Sequence, residues 1–221
     1  LLKELRAAAT EAAREYAREL GLTEPLLVTT IKPEGTQSLL PVVSSGAHFS
    51  HAPYSIRRIR INAEDPLAKV CEELGFPVFP EVGQTRENCT TKVVEFPVRA
   101  PEGRVKGDVT AIEQLEIYRM FMEHYVDHNC SVTVHVREGE WEAAEQWVWE
   151  HWDDTLGITF LSFDDNFYDL LPFEEITRED YERRAAEMNP FTPSLLSKYE
   201  KEETEYDIGN DGCEGGACPV R

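Results

Sequence analysis

The sequence predicts an α/β fold with largely parallel strands, interrupted by an antiparallel excursion and followed by a flexible C-terminal tail. Three observations carry this expectation. Helical periodicity runs into a short apolar, β-branched stretch three times: residues 1–20 into 26–31, 111–127 into 130–136, and 141–152 into 158–163. Between the first and second of these, residues 54–98 hold two further strand patterns, a spacing that suits an antiparallel insertion. From residue 189 to 221 the composition turns to Pro, Gly, Glu, Asp and Ser with few apolar anchors.

Taken in order, residues 1–20 place Leu2, Leu5, Ala9, Ala12, Ala13, Tyr16, Ala17 and Leu20 on one helical stripe, with Gly21 as the stop. Leu26–Ile31 is a continuous apolar and β-branched run and reads as a strand buried on both faces. The following stretch to Tyr54, rich in Gly, Pro, Ser and His, is too long for a simple connection, and such loops are usually functional. Tyr54–Ile61 alternates Ile with Arg as a strand does, and residues 65–74 read as a short helix closed by Gly75. Lys92–Val98 is a strand in which Pro97 points to an edge or a bulge. Thr110 and Glu113 stand at capping-box spacing at the head of a helix over 111–127. Strands at 130–136 and 158–163 flank a helix over 141–152, and a last short helix covers 178–188.

The chain has 221 residues, 42 acidic against 22 basic side chains, and a net charge of −20. With 41% hydrophobic residues it can build a core. No apolar run approaches the roughly 20 residues of a membrane helix, and no signal-peptide pattern precedes the first helix. The charge disfavours a generalised nucleic-acid binder but leaves room for a local phosphate pocket. The chain begins at Leu1 inside a helix, so a processed product, one piece of a split gene, or a fragment is expected. Cys71, Cys89 and Cys130 lie far apart in apolar contexts, which suggests a reducing, cytoplasmic setting and inert thiols.

Two segments ask for chemistry. Pro33, Glu34, Gly35, Thr36, Gln37 and Ser38 follow the first predicted strand and precede a helix-like stretch, an arrangement that presents backbone N–H groups to a phosphate. Gly35 allows close approach, and Thr36 and Ser38 carry hydroxyls; the plainer alternative is an ordinary capped turn. Downstream, SSGAHFSHAPYSIRRIRI combines two histidines and three arginines. An active-site loop with anion-binding arginines competes there with a solvated strand face, Arg58 and Arg60 outward and Ile59 and Ile61 inward, and the latter is favoured. His48 and His51 lack metal spacing, so no metal is assigned. The terminus GCEGGACPVR separates Cys213 and Cys218 by four small or flexible residues, close enough for a disulfide on a mobile tail that exchanges with another site. A metal knuckle, a redox fold, unpaired thiols and a cloning remnant are the alternatives, and the dithiol shuttle is the better reading. The Trp-rich EWEAAEQWVWEHW reads as packing, and the acidic FDDNFYDLLPFEEI shows no fixed acid/base pair.

Together these motifs resemble one family. TTIKPEGTQSLLPVVSSGAHFSHAPYSIRRIRI is similar to the substrate-side segment of adenosylcobalamin-dependent (class II) ribonucleotide reductases. That family commonly shows TT-x-KP-x-GT-x-S, then Ser-Ser-Gly-x-His, then Tyr-x-Ile-Arg-Arg. AIEQLEIYRMFMEHYVDHNCSVTVHV resembles the helix and strand that follow, and Cys-x-x-x-x-Cys resembles the family's reducing tail. The resemblance extends over most of residues 10–221 and is nearest, in the tail, to monomeric ribonucleoside-triphosphate reductases. It implies the C-terminal part of a ten-stranded α/β barrel in residues 1–188 and a redox-active tail in 189–221. It implies that Pro33–Ser38 holds the substrate's phosphates, Gly35, Thr36 and Ser38 above all. Cys213 and Cys218 would reduce the active-site disulfide and be regenerated by thioredoxin or a similar reductant. In the family a thiyl radical, generated through cobalamin, abstracts the ribose 3′ hydrogen, and the 2′ hydroxyl leaves as water. The radical cysteine and its catalytic neighbours lie upstream in the family, and none of Cys71, Cys89 or Cys130 stands in a matching context. A complementary N-terminal segment is therefore an expected partner. Pro41-Val42-Val43 stands where Gly-Val is common, and Ser55 where a second aromatic is common. The alternative is a nucleotide-phosphate-binding or assembly module without activity of its own; an independent thiol oxidoreductase lacks a CxxC at a strand-to-helix junction.

Overall fold

The computed structural model describes residues 1–35, 37–163 and 169–200. In chain order the elements are α1 (Leu2–Glu19), β1 (Tyr54–Asn62), α2 (Pro66–Glu73), β2 (Val78–Pro80), β3 (Thr91–Arg99), α3 (Ala111–His124), β4 (Thr133–Val136), α4 (Trp141–Glu150), β5 (Thr159–Ser162), β6 (Phe173–Glu175), α5 (Arg178–Glu187) and α6 (Leu196–Tyr199). The chain is mixed α/β and divides into two compact units, Leu1–Ser50 with Pro101–Asp165 and His51–Ala100 with Asn166–Arg221. None of the described helices is long and apolar enough to cross a membrane.

The first unit holds the parallel part. β4 and β5 pair in parallel from Thr133↔Thr159 to Val136↔Ser162, and Ile31 forms a parallel bridge with Cys130. Leu115, Tyr118, Cys130, Val134, Val136 and Trp147 form the core between these strands and helices α3 and α4. The predicted capping box is present: Glu113 N–H donates to Thr110 Oγ1 at 3.2 Å and Thr110 N–H to the Glu113 carboxylate at 2.9 Å. Gln114, buried on the next position, pairs with both backbone groups of His135 and ties α3 to β4. The expected strand over Leu26–Ile31 is reduced to the single bridge at Ile31. Leu26 is 93% exposed, because the backbone here is held by a side chain, Asp127, rather than by a strand ladder. The Trp-rich segment is packing only at Trp147; Trp149 and Trp152 are exposed.

The second unit is an antiparallel sheet in the order β2-β3-β1-β6. Pro97 sits in β3, a central strand, opposite Ile56. Glu95 N–H donates to Pro77 O on the β2 side, and β2 pairs only with Lys92–Val94. The missing amide of Pro97 therefore faces beyond the end of β2 and breaks no ladder bond. Ile61, Ala68, Cys71, Phe76 and Val94 pack under α2, whose Asp65 cap accepts Leu67 N–H at 2.7 Å ahead of Pro66.

The β1 arginines are not a solvated face. Arg58 is buried and donates to Glu95 at 2.8 Å, to Glu174 at 2.5 Å and to Leu171 O at 3.1 Å. Arg60 binds Glu81 and Leu170 O, and Arg57 donates to Pro172 O with its guanidinium over the Phe173 ring. The three side chains thus take the carbonyls of three consecutive residues, 170–172, and hold the chain that leads into β6. The acids that pair with Arg58 lie 37 and 116 positions away, beyond any local pattern.

Residues 189–200 are held as well. Asn189 donates to Leu74 O, while Lys198 and Tyr199 both bind Glu73. The start of the tail expected from 189 is therefore fastened to α2 and its C-terminal cap at Asn189, Lys198 and Tyr199, and residues 201–221 lie outside the described residues. Glu95→Ala removes the buried carboxylate of the pair while Glu174 still faces Arg58, so it is expected to cost about 1–3 kcal/mol in denaturant unfolding. Glu174→Ala, at a half-exposed carboxylate, is expected to cost under about 1 kcal/mol.

Candidate functional site

The site begins at the turn after α3. The Asp127 carboxylate accepts the amides of Val28 at 3.0 Å and Thr29 at 3.2 Å, and its other oxygen pairs with the Arg6 guanidinium. These contacts, the Val28 amide foremost, hold the carboxyl at about 2, below its ordinary 3.8, against the opposing effect of burial. Thr29 is buried and returns the contact: its hydroxyl donates to Tyr125 O at 2.5 Å, and its carbonyl accepts Asp127 N–H at 3.0 Å. Ile31 then pairs with the 129–131 backbone and delivers the chain to the predicted phosphate loop.

Pro33, Glu34, Gly35, Gln37 and Ser38 form a tight turn, and Thr36 lies outside the described residues. Glu34 adopts φ +55°, Ser38 N–H donates to Glu34 O at 2.9 Å, and Gln37–Leu39 form one 3-10 turn. Val43 N–H closes the far end on Ser38 O at 3.1 Å. Among the described residues the amides of Glu34 and Gly35 have no hydrogen-bond partner, which suits an anion. Ser38, expected to offer its hydroxyl, is instead buried at the foot of the turn.

The Ser45–His48 segment straps this turn down. Gly46 has φ +56°, and a Cβ there would lie 2.4 Å from Lys32 O, so only glycine fits. The Ser45 hydroxyl donates to Pro33 O. His48 Nε2 accepts the amide of Thr133 in β4 at 3.0 Å, so Nδ1 carries the proton and donates to Ser45 O at 3.0 Å. Both ring nitrogens are thereby occupied by the chain itself.

The thiols separate by environment. Burial pushes Cys130 up to about 11, and burial with nearby Asp65 and Glu72 raises Cys71, so both are unreactive thiols. Cys89 Sγ donates to Thr91 O at 3.2 Å. Cys213 and Cys218 lie outside the described residues. Arg57, Arg58 and Arg60 belong to the second unit, where acids, carbonyls and the Phe173 ring engage them. Sequence reasoning missed Asp127 and the partners of His48; the available signals were an acid just past a helix end and a Ser-Ser-Gly-x-His run beside the loop.

A scan against protein-family models finds no match. The chain is similar to adenosylcobalamin-dependent ribonucleoside-triphosphate reductases of several lactobacilli. It is 30% identical to that of Lactobacillus acidophilus over 216 residues, 95% of this chain and 28% of the relative. Identity to the Lactobacillus leichmannii protein is 27% over 227 residues, 100% of this chain and 30% of the relative. A crystal structure of a B12-dependent (class II) ribonucleotide reductase superposes with a TM-score of 0.74 at 27% identity, covering 92% of this chain and 28% of that one. The chain thus spans under a third of the length of the relatives it matches.

A carboxyl held at about 2 rather than 3.8 stabilises the fold fully above about pH 5, and that contribution is lost as pH falls through 4 towards 2. Asp127→Asn is therefore expected to lower stability by about 2 kcal/mol at pH 7 and to flatten the acid limb of stability against pH. Gly46→Ala combines a left-handed backbone with a backbone clash and is expected to cost about 2–4 kcal/mol in thermal or denaturant unfolding.

Proposed function

We propose that this chain is the C-terminal portion of an adenosylcobalamin-dependent ribonucleoside-triphosphate reductase, completing a ten-stranded α/β barrel with an N-terminal segment that carries the radical cysteine. The observation that carries the reading is similarity to such reductases across 95% of the chain, coinciding with a turn whose Glu34 and Gly35 amides are unpaired among the described residues. In this reading the turn from Pro33 to Ser38 holds the substrate's phosphates. The amides of Glu34 and Gly35 supply donors, Thr36 and Gln37 add side-chain donors, and Ser38 closes the turn from below. Anchoring the phosphates at one end fixes the ribose relative to the barrel, so the binding contributes orientation rather than chemistry.

In this reading adenosylcobalamin is the cofactor of the complete reductase, and this chain contributes the phosphate turn and the terminal dithiol rather than an assigned corrin contact. The contribution of Cys213 and Cys218 is the reductive half of the cycle. One thiolate attacks the active-site disulfide and forms a mixed disulfide; the other displaces it, leaving two reduced active-site thiols and a tail disulfide. Two electrons and two protons pass inward, and a thioredoxin-type dithiol returns them to the tail.

The test uses the complete reductase with adenosylcobalamin and a ribonucleoside triphosphate. Cys213→Ser or Cys218→Ser is expected to abolish turnover driven by thioredoxin while sparing turnover driven by a small dithiol that enters the barrel. Equal loss with both reductants would contradict the shuttle. Triphosphate binding with no deoxyribonucleotide under any reductant would favour a phosphate-binding or assembly module instead.

A further inference from the structure

We infer that His48, with Ser45, is a positioning residue that sets the affinity of the Pro33–Ser38 turn for the substrate's phosphates by fastening that turn to β4; this rests on the phosphate-loop reading above. The segment 45–48 touches the turn and the sheet at once. Ser45 Oγ donates to Pro33 O, Gly46 packs flat against Lys32 O, and His48 Nε2 takes the amide of Thr133. Thr133 is the first residue of β4, and it is in register with Thr159 of β5. The histidine thus reaches the strand that the α3–α4 core holds in place. Its own ring is steadied by Nδ1–H on Ser45 O, so the hydroxyl that holds Pro33 and the imidazole that holds β4 belong to one small hydrogen-bonded arch.

Three further points favour positioning over chemistry. Both ring nitrogens are satisfied within the chain, which leaves no site for a metal and no lone pair for proton transfer. The acceptor at Nε2 faces a backbone amide, so the neutral Nδ1–H tautomer is required for the contact. The opposite end of the turn is closed separately by Val43 N–H on Ser38 O and Ser38 N–H on Glu34 O, so release of the arch loosens the Lys32–Pro33 end, next to the Glu34 and Gly35 amides that are unpaired among the described residues. A turn free to move at that end would have to be ordered by the ligand on every binding event, which weakens binding without altering the reacting atoms.

The experiment measures KM and kcat of the complete reductase for a ribonucleoside triphosphate, with a small dithiol as reductant. Loss of the ring's two backbone-directed hydrogen bonds, to Thr133 N–H and Ser45 O, is expected to raise KM roughly five- to tenfold in His48→Ala, with kcat within about twofold of the parent. His48→Gln places a carboxamide oxygen near the position of Nε2 and is expected to return KM to within about threefold of the parent. Ser45→Ala, a milder change at the Pro33 end, is expected to raise KM about threefold and serves if His48→Ala fails to fold. Gly35→Pro, which deletes one loop amide, reports on the phosphate reading itself. If Gly35→Pro raises KM while His48→Ala and Ser45→Ala do not, the positioning role is overturned and the phosphate loop stands. If Gly35→Pro leaves KM unchanged, the phosphate-loop reading falls. A fall in kcat of His48→Ala that Gln does not rescue would overturn the positioning role and give the histidine another task.

Discussion

One carboxylate organises the first unit. Asp127 follows α3 by only three residues, yet it holds the amides of Val28 and Thr29 and the guanidinium of Arg6 in α1. Without it, the segment that enters the site would have two amides and no ladder to receive them, since its strand pairing consists of the single bridge at Ile31. Its position also explains why α3 stops at His124 rather than continuing to 127: Asp127 and His128 direct their own amides to Thr29 O. The clamp and the bridge together fix where Lys32 emerges, and everything in the candidate loop is placed relative to that residue.

The loop is then shaped from both sides by backbone-directed contacts rather than by apolar packing. Ser45 and Gly46 act on Lys32 and Pro33; Val43 and Glu34 act on Ser38. Glu34 in the left-handed region is a residue type that ordinarily avoids that conformation, and the surrounding contacts maintain it. A turn held this way has its ordering cost met during folding, so a ligand meets donors already arranged. The overall charge of −20 opposes any anion at long range, which makes local backbone donors a more effective means of recognition than diffuse surface charge.

How much of this was legible depended on the range of the interaction. The capping box of Thr110 and Glu113, the short helix before Gly75, and the second and third helix-to-strand units are written within a few residues, and the structure carries them nearly where the pattern places them, with β4 and β5 as its parallel strand pair among the described residues. The Leu26–Ile31 run has strand composition, but its pairing is decided by a side chain 99 positions away. The β1 arginines read as a solvated face because Glu95, Glu174 and the 170–172 carbonyls are remote in sequence and near only in the folded sheet. In the loop, the Gly-Thr-x-Ser pattern marks the segment as a phosphate-loop candidate, while the inward burial of Ser38 and the contacts of His48 depend on the folded chain.

At the centre stands the proposal that the Pro33–Ser38 turn is a preformed phosphate site in a triphosphate-reducing enzyme. The most direct measurement is backbone hydrogen exchange of the complete reductase with and without a ribonucleoside triphosphate, compared with the corresponding ribonucleoside. A preformed site predicts slowed exchange at the Glu34 and Gly35 amides with the triphosphate and little change with the ribonucleoside. Unchanged exchange at those amides, with protection appearing elsewhere on saturating triphosphate, would contradict it.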